Sequence, residues 1–389
     1  MTFKPAIADR MSHIHAFHVM DLLGRARQLE AQGKSIIHME IGEPDFVSPA
    51  PVVEAGIAAL KAGHTHYTPA TGLPALRQSI SEHYRHRYDV DIDPARIIVT
   101  PGASGALQLA FGVLFNPGDH ILMADPSYPC NRHFAYFFGA TPTGIPVDDS
   151  SDYQLTVPLV EQHWSDMATG VMVASPSNPT GTLMAGDIIH DIYRFVHDRQ
   201  ASMIVDEIYH GLVYDDETNT ALKVADDIFV INSFSKFFGM TGWRVGWLVA
   251  PQAYVRECDK LAQNIFLAAS TPAQYAALAS FSPGCQAILE SRRDEFKQRR
   301  DFLLPALREL GFDIPVTPQG AFYLYADCSR FTDNSYEFSQ ALLEQAGVAI
   351  TPGIDFGKNR PERFVRFAYT SSIDKLKQGV DRIAGFINV

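Results

Sequence analysis

The sequence predicts an α/β protein with a mostly parallel sheet and a second, smaller α/β unit. The chain has 389 residues, more than the roughly 100 to 200 of a typical domain, so we expect two domains. Apolar residues make up 46% of it and charged residues 20%, which is typical of a globular protein. In the middle of the chain, short apolar runs alternate with helical patterns, as in parallel sheets that are covered by helices on both faces.

The individual elements follow from this alternation. The predicted strands of the main sheet are residues 97–100, 120–124, 171–174, 203–205, 228–232 and 245–250. The predicted helices between them are residues 104–115, 128–138 and 185–197. A long helix at 285–310, kinked at Pro305, leads into the smaller unit, whose predicted strands are 321–325 and 363–369. We expect a large domain at 46–285 and a small domain formed by 1–45 together with 286–389.

Charge and cysteine usage argue against several classes of protein. The chain has 44 acidic and 32 basic residues, a net charge of -12, whereas a nucleic-acid partner needs a basic surface. Its cysteines lack metal-ligand spacing, so we expect no metal site; they are Cys130, Cys258, Cys285 and Cys328. Residues 1–20 contain no apolar signal stretch, and no run approaches the ~20 apolar residues of a membrane helix. We therefore expect a cytoplasmic protein that binds neither nucleic acid nor membrane.

A lysine lies among hydroxyls, glycines and an arginine just after a predicted strand. The segment holds Ser233, Ser235 and Lys236, and Arg244 follows eight residues after the lysine. Two hydroxyls and a guanidinium suit a phosphate, and a lysine beside them can attack an aldehyde if its pKa is lowered. On composition alone, a solvated surface lysine and a structural arginine would be the better interpretation.

The spacing Ser-x-Ser-Lys, with the arginine eight residues on, resembles the attachment motif for pyridoxal 5'-phosphate (PLP) in class I and II aminotransferases. The resemblance covers nearly the whole chain in the family's order. It implies fold type I, in which a large domain with a mostly parallel seven-stranded sheet accompanies a smaller α/β domain. It also implies that Lys236 holds PLP as a Schiff base and moves the proton in catalysis.

The resemblance assigns further residues to the cofactor. Ser233, Ser235, Arg244 and the 102–105 turn, with Ala103 and Ser104, would hold the phosphate. Asp206 would pair with the pyridine nitrogen, Tyr209 and Asn178 would contact the phenolic oxygen, and Tyr128 would stack on the ring. Taken singly, each has another interpretation: Asp206 as a helix cap, Tyr128 as a core aromatic, and the segments around Ser104 and Asn178 as ordinary turns.

The substrate and the oligomer are also implied by the resemblance. Arg366 would bind the substrate carboxylate, with Gly42 and Asn178 beside it. Arg363 competes for this role, but residues three apart on a strand face opposite sides, so only one can face the site. Tyr67 would reach the phosphate of the partner subunit, which implies a homodimer with shared active sites; otherwise it is an ordinary loop tyrosine.

The expected function is therefore transfer of an amino group from an L-amino acid to a 2-oxo acid. A PLP-dependent C–S β-lyase and a regulatory PLP-binding protein remain as alternatives, because one fold hosts several functions. Ser104 stands where some aspartate-preferring relatives have lysine, and residues 263–274 contain no arginine or lysine. We expect neutral or aromatic donors to be preferred over aspartate. Three N-terminal residues are candidates to cover the pocket: Phe17, His18 and Met20.

Overall fold

The computed structural model describes residues 6–215 and 218–388. Its strands, numbered along the chain, are β1 (Ile37–His38), β2 (Ile97–Thr100), β3 (His120–Asp125), β4 (Thr141–Pro146), β5 (Ala168–Ala174), β6 (Ser202–Asp206), β7 (Phe229–Ser233), β8 (Gly246–Val249), β9 (Tyr323–Asp327), β10 (Val348–Ala349), β11 (Thr351–Pro352) and β12 (Phe364–Ala368). Its α-helices are α1 (His18–Ala31), α2 (Ala50–Lys61), α3 (Pro74–Tyr88), α4 (Gly102–Leu114), α5 (Pro129–Phe138), α6 (Val157–His163), α7 (Gly186–His197), α8 (Val255–Ile265), α9 (Thr271–Ala279), α10 (Pro283–Leu310), α11 (Ser335–Ala341) and α12 (Ile373–Ile387).

Seven strands form the main sheet, in the order β2-β8-β7-β6-β5-β3-β4. Strand β8 runs antiparallel to both of its neighbours, and the other pairings are parallel. The predicted α/β class with a mostly parallel sheet is confirmed. The sequence analysis missed β4, because this edge strand is half exposed and contains Pro142 and Pro146, which are unfavourable in a central strand.

Both faces of the main sheet are buried. In β2, Ile97 and Val99 join one apolar cluster while Ile98 joins the other, because successive side chains on a strand point to opposite faces. Helices α4, α5 and α8 cover the second face. This two-sided burial explains why the central strands read as continuous apolar runs in the sequence.

The C-terminal third of the chain forms a second, smaller group of helices and strands. Helix α10 continues through Pro305 and leads to the antiparallel sheet β11-β12-β9. The N-terminal segment packs there too: β1 pairs in parallel with β10, and Leu22 and Leu29 of α1 share a small core with Leu343. The domain boundaries at 45/46 and 285/286 remain predictions. Within the described residues, no helix is long and apolar enough to cross a membrane.

The carboxyl ends of the main strands meet at one edge of the sheet. Asp206 is the last residue of β6, and Lys236 follows the end of β7 by three residues. Ala103 follows the end of β2 by three residues, at the start of α4. Ligands of open α/β sheets bind at this edge.

Candidate active site

A cavity of about 330 Å³ opens at this edge of the sheet. Its volume lies within the ~300–1,000 Å³ range of small-molecule sites. Most of the residues predicted for the site line it together: Gly42, Ala103, Ser104, Tyr128, Asn178, Asp206, Tyr209, Ser235, Lys236, Arg244 and Arg366. Ser233 and Tyr67 are not among the lining residues.

Lys236 extends its side chain into the cavity, and its Nζ donates a hydrogen bond to the Gly42 carbonyl at 2.7 Å. Burial lowers the pKa of Lys236 to about 8. The nearby Glu43 carboxylate raises this pKa, and the positive charges of Arg366 and Arg244 lower it further. At pH 7 roughly a tenth of the amine is therefore neutral and nucleophilic, compared with less than about one in a thousand at the ordinary pKa of 10.5.

Asp206 faces the cavity from the end of β6 and is 4% exposed. Burial raises its pKa to about 6, although an N–H from Ile208 at 3.0 Å and the charge of Lys236 favour the ionised form. The next residue, Glu207, does not line the cavity; its carboxylate accepts hydrogen bonds from Thr220 Oγ1 and the Ala221 amide. Of the two adjacent acids, Asp206 is the one available to a ligand.

Two tyrosines meet at the wall of the cavity. The Tyr209 hydroxyl lies 2.7 Å from the Tyr323 hydroxyl, and both side chains are buried. The sequence analysis placed Tyr323 in a predicted strand but assigned it no role. No local signal marks Tyr323, because its neighbour in the site is 114 residues away along the chain.

Arg244 and the start of α4 form a tight cradle. Arg244 Nη1 donates to the Thr241 carbonyl at 3.0 Å and to Ser235 Oγ at 3.4 Å. Gly102 has a φ of +68°, and a Cβ there would lie 2.5 Å from Arg244 Nη2. A glycine is therefore required for this close approach. The free amides at the start of α4 and the guanidinium favour an anion at the same place.

Ser233 does not line the cavity, and its contact with a phosphate stays a prediction. Ser233 is 1% exposed, and its hydroxyl lies 3.0 Å from Ser235 Oγ and 3.2 Å from the Val245 carbonyl, either of which can accept its one proton. It also accepts from the Ser235 amide at 3.1 Å. As the last residue of β7, it faces Val245, the residue just before β8. Ser233 therefore orients Ser235 and does not reach the cavity.

Tyr67 lies apart from the cavity of its own chain and is 83% exposed. Its contact with the phosphate of the partner subunit stays a prediction. Among the three N-terminal candidates, Phe17 and Met20 line the cavity. The His18 ring instead packs edge-on against Tyr336, with 5.1 Å between centroids.

Arg366 projects from β12 into the other end of the cavity and is 5% exposed. Its Nη1 donates to Asn178 Oδ1 at 2.9 Å. Its Nη2 donates to the Glu40 carbonyl and to Thr351 Oγ1 at 3.1 Å. Within the described residues, its buried Nε has no hydrogen-bond partner. A buried guanidinium with an unpaired donor is well suited to bind a carboxylate.

Aromatic rings hold the Arg366 guanidinium from two sides. Its Cζ lies 4.3 Å from the Tyr323 ring centroid and 4.9 Å from that of Phe356. Arg363 points elsewhere, pairs with Asp327 and is 40% exposed. Other lining residues had no role in the sequence analysis: Val19, Glu40, Ile41, Leu107, Thr241, Thr351, Asp355 and Phe356. They come from five segments that are far apart in the chain.

The chain matches the family described as "Aminotransferase class I and II" over residues 34–383. It is 37% identical to a (5-formylfuran-3-yl)methyl phosphate transaminase of Methanocaldococcus jannaschii, over 98% of this chain and 100% of that protein. It is 35% identical to a valine–pyruvate aminotransferase of Mycobacterium tuberculosis, over 95% of this chain and 96% of that one.

A solved aspartate aminotransferase from Thermus thermophilus superimposes with a TM-score of 0.93 at 28% identity, covering 98% of this chain and all of that one. Among residues 6–215 and 218–388, no group of three or more His, Cys, Asp or Glu could hold a metal ion. The family match spans the lysine, the buried acid, the anion cradle and the buried arginine. The chain belongs to the class I and II aminotransferases, a PLP-dependent family, and is an enzyme that transfers amino groups.

Proposed function

We propose that this chain holds PLP at Lys236 and transfers the amino group of an L-amino acid, bound at Arg366, to a 2-oxo acid. The observation that carries the proposal is one cavity with four matched groups: a lysine whose pKa is about 8, a buried acid, an anion cradle and a buried arginine with a free donor. Bound PLP supplies an electron sink that stabilises negative charge on the substrate Cα.

The residues present fit this cofactor. Arg244, Ser235 and the amides of Ala103 and Ser104 would hold the phosphate, where Gly102 already allows the backbone to approach the guanidinium. The Asp206 carboxylate would accept a hydrogen bond from the protonated nitrogen of the pyridine ring. Because burial raises the pKa of this carboxyl to about 6, a cationic partner in contact with it is favoured.

Three further side chains would orient the ring. Asn178 uses its Oδ1 for Arg366, which leaves its Nδ2 to donate to the cofactor's phenolic oxygen. Tyr209 would donate to the same oxygen, since its hydroxyl already lies at the cavity wall beside Tyr323. Tyr128 would cover one face of the ring.

The proton is moved by Lys236. Its Nζ would take the proton from the donor's Cα and return it to the cofactor side, since one amine can act as base and then as acid. The low-polarity surroundings that lower its pKa keep the amine able to accept a proton near neutral pH. Phe17 and Met20 lie over the cavity and would restrict the entry of water.

Arg366 would hold the α-carboxylate of both substrates. Its Nε is free, and its Nη groups are fixed by Asn178, Glu40 and Thr351, so the guanidinium is already oriented. Such preorganisation reduces the entropy lost on binding.

The preferred donors would be neutral or aromatic. Among the described residues that line the cavity, the cations are Lys236, Arg244 and Arg366, and each has a role in the scheme above. None is left for a second carboxylate. The relative named for valine is consistent with this preference, whereas the Thermus neighbour is named for aspartate. The ratio of kcat/KM for phenylalanine to that for aspartate measures the preference. A much higher kcat/KM for aspartate would contradict the proposal.

The enzyme would act as a homodimer. Tyr67 is 83% exposed, and large apolar side chains that are also exposed lie in the same or nearby segments: Val47, Ile57, Leu60 and Leu267. Such apolar exposure is typical of a surface that another chain covers. Sedimentation equilibrium measures the mass directly, and a monomer at micromolar concentration with full activity would exclude shared active sites.

The central test is the visible spectrum of the purified protein. We expect an absorption band that borohydride treatment removes, with the label recovered on Lys236. Amino acids added without an oxo acid should convert the band to a pyridoxamine-type spectrum. If pyruvate and ammonia accumulate instead, the chain is a C–S β-lyase; if PLP addition produces no band, Lys236 does not hold the cofactor.

A further inference from the structure

One side of the cavity is closed by the beginning of α1. Phe17, Val19 and Met20 line it there, and the Phe17 ring lies 6.5 Å from the Tyr128 ring. Phe17 also stacks on His133, with 5.9 Å between centroids and 16° between planes. We call Phe17, Val19 and Met20 the apolar wall, because these three apolar side chains line the cavity, whereas the His18 ring packs against Tyr336.

The apolar wall is held by a residue from the other end of the chain. The Asp355 carboxylate accepts hydrogen bonds from the His18 amide at 2.8 Å and from the Val19 amide at 2.9 Å, one on each oxygen. The first amides of a helix have no partner within the helix, and Phe17, the residue before it, has no side-chain acceptor. Asp355 therefore serves as the cap that α1 lacks in its own sequence, with its negative charge at the positive end of the helix.

Asp355 is itself rigidly placed. It is 4% exposed, and its backbone carbonyl accepts a hydrogen bond from Arg132 Nη2 of α5 at 2.6 Å. The residues after it are tied to the end of β3, where the Asp125 carboxylate accepts from the Lys358 amide at 2.8 Å. At Gly357 between them, a Cβ would lie only 1.7 Å from Asp125 Oδ1. The cap thus rests on a segment that packs tightly against the main sheet.

The same segment reaches the carboxylate-binding arginine. Phe356 follows Asp355 directly, and its ring covers the Arg366 guanidinium at 4.9 Å. One short segment therefore contacts both the apolar wall and Arg366. It sets the distance between the place where a substrate carboxylate binds and the side chains that would meet the rest of the substrate.

We propose that Asp355 is a positioning residue for donor specificity: by holding the apolar wall at a fixed place relative to Arg366, it makes the enzyme select donors with large apolar side chains. The proposal rests on the proposed function, since it requires an amino acid bound at Arg366. Asp355 itself acts through Phe17 and Met20.

The test uses the PLP-loaded enzyme and compares Asp355→Ala and Asp355→Asn with the wild type. The readout is the ratio of kcat/KM for phenylalanine to that for alanine, which a purely structural role would leave unchanged. We expect the ratio to fall about fivefold in Asp355→Ala, which corresponds to about 1 kcal/mol, the usual cost of losing a helix cap. Asp355→Asn keeps one acceptor oxygen and should lie between the two.

A second readout does not depend on activity. Hydrogen–deuterium exchange at residues 17–20 should be faster in Asp355→Ala, because the His18 and Val19 amides lose their acceptor. Asp93→Ala is the matched control: it removes a carboxylate that accepts from the Ala95 amide at 2.8 Å in an exposed turn, and Asp93 does not line the cavity. Neither the ratio nor exchange at 17–20 should change in this control.

The outcomes separate the two proposals. If the wild type transfers no amino group from any donor, the proposed function fails. If the wild type is active and Asp355→Ala keeps its ratio, the positioning role is wrong. A lower ratio without faster exchange at 17–20 would equally overturn it. Should Asp355→Ala fail to fold, Asp355→Asn and Phe17→Ala decide, since both must lower the ratio.

Discussion

The two ends of the cavity are built in different ways. The lysine end, with Asp206, Ser235, Lys236 and Arg244, lies at the carboxyl ends of neighbouring strands of the main sheet. Three of these four residues come from one stretch of ten. The arginine end is assembled from segments hundreds of residues apart, since Arg366 binds the Glu40 carbonyl across 326 positions and Asn178 across 188.

This difference in construction predicts that the two ends affect different properties, namely catalysis and the choice of substrate. The lysine end is supported by a sheet buried on both faces, so its groups are held by the most rigid part of the fold. The arginine end depends on contacts between the N-terminal segment, the β11–β12 region and the main sheet. We therefore expect substitutions at the lysine end to remove the reaction, and substitutions at the arginine end to change which substrates react.

Lys236→Ala should have the largest effect. The change removes both the attachment point and the proton carrier, so kcat should fall at least about 10³-fold. The phosphate contacts of Arg244 and Ser235 remain, so some PLP should still bind, without the band that borohydride removes. Single-turnover absorbance after mixing with phenylalanine measures this; near-normal turnover would refute the role of Lys236.

Arg366→Ala should separate the two ends. The change removes a charge-assisted carboxylate contact of about 2 kcal/mol or more, so KM for amino donors should rise at least about thirtyfold. The cofactor band should persist, because Arg366 lies at the opposite end. Steady-state kinetics and PLP titration together measure this, and Arg363→Ala is the matched control, because Arg363 lies just before β12, pairs with Asp327 and is 40% exposed. If Arg366→Ala weakened PLP binding as much as donor binding, the lysine end and the arginine end would not have separate functions.

The rate at which Lys236 reacts with PLP should depend on pH, and this dependence links the two ends of the cavity. Only the neutral amine of Lys236 attacks, and its pKa is lowered to about 8 from the ordinary 10.5. The rate at which cofactor-free protein develops the band should thus rise with pH below about 8 and level off above it. Arg366→Ala removes a charge that lowers this pKa, so the inflection should move to higher pH. Stopped-flow absorbance measures both curves, and a rise that continues to pH ~10 would exclude a lowered pKa.

The smallest expected effect distinguishes two serines within the lysine end. Ser235→Ala removes a group that lines the cavity, so PLP affinity should weaken about tenfold. Ser233→Ala leaves the Ser235 amide without its acceptor, so it should lower Tm while PLP affinity changes less than in Ser235→Ala. PLP titration and thermal unfolding measure the two properties. Weaker PLP binding by Ser233→Ala than by Ser235→Ala would contradict the geometry described above.

The sequence was informative where function depends on neighbouring residues. The strand pattern predicted the main sheet, and the spacing around Lys236 indicated the family. It could not show that Ser233 turns away from the cavity, because both serines fit the same motif and only the pairing of β7 with β8 orients them. Tyr323 and Asp355 were missed for a related reason. Their roles come from contacts across more than 100 positions, which depend on the packed fold.

The contact between Asp125 and Gly357 also has an evolutionary consequence. A side chain at position 357 cannot coexist with the present carboxylate, since its Cβ would lie 1.7 Å from Asp125 Oδ1. Either mutation alone passes through an intermediate that has lost the tie between β3 and the segment bearing Asp355. Where the tie is retained among descendants of this sequence, both Asp125 and Gly357 should therefore be retained with it.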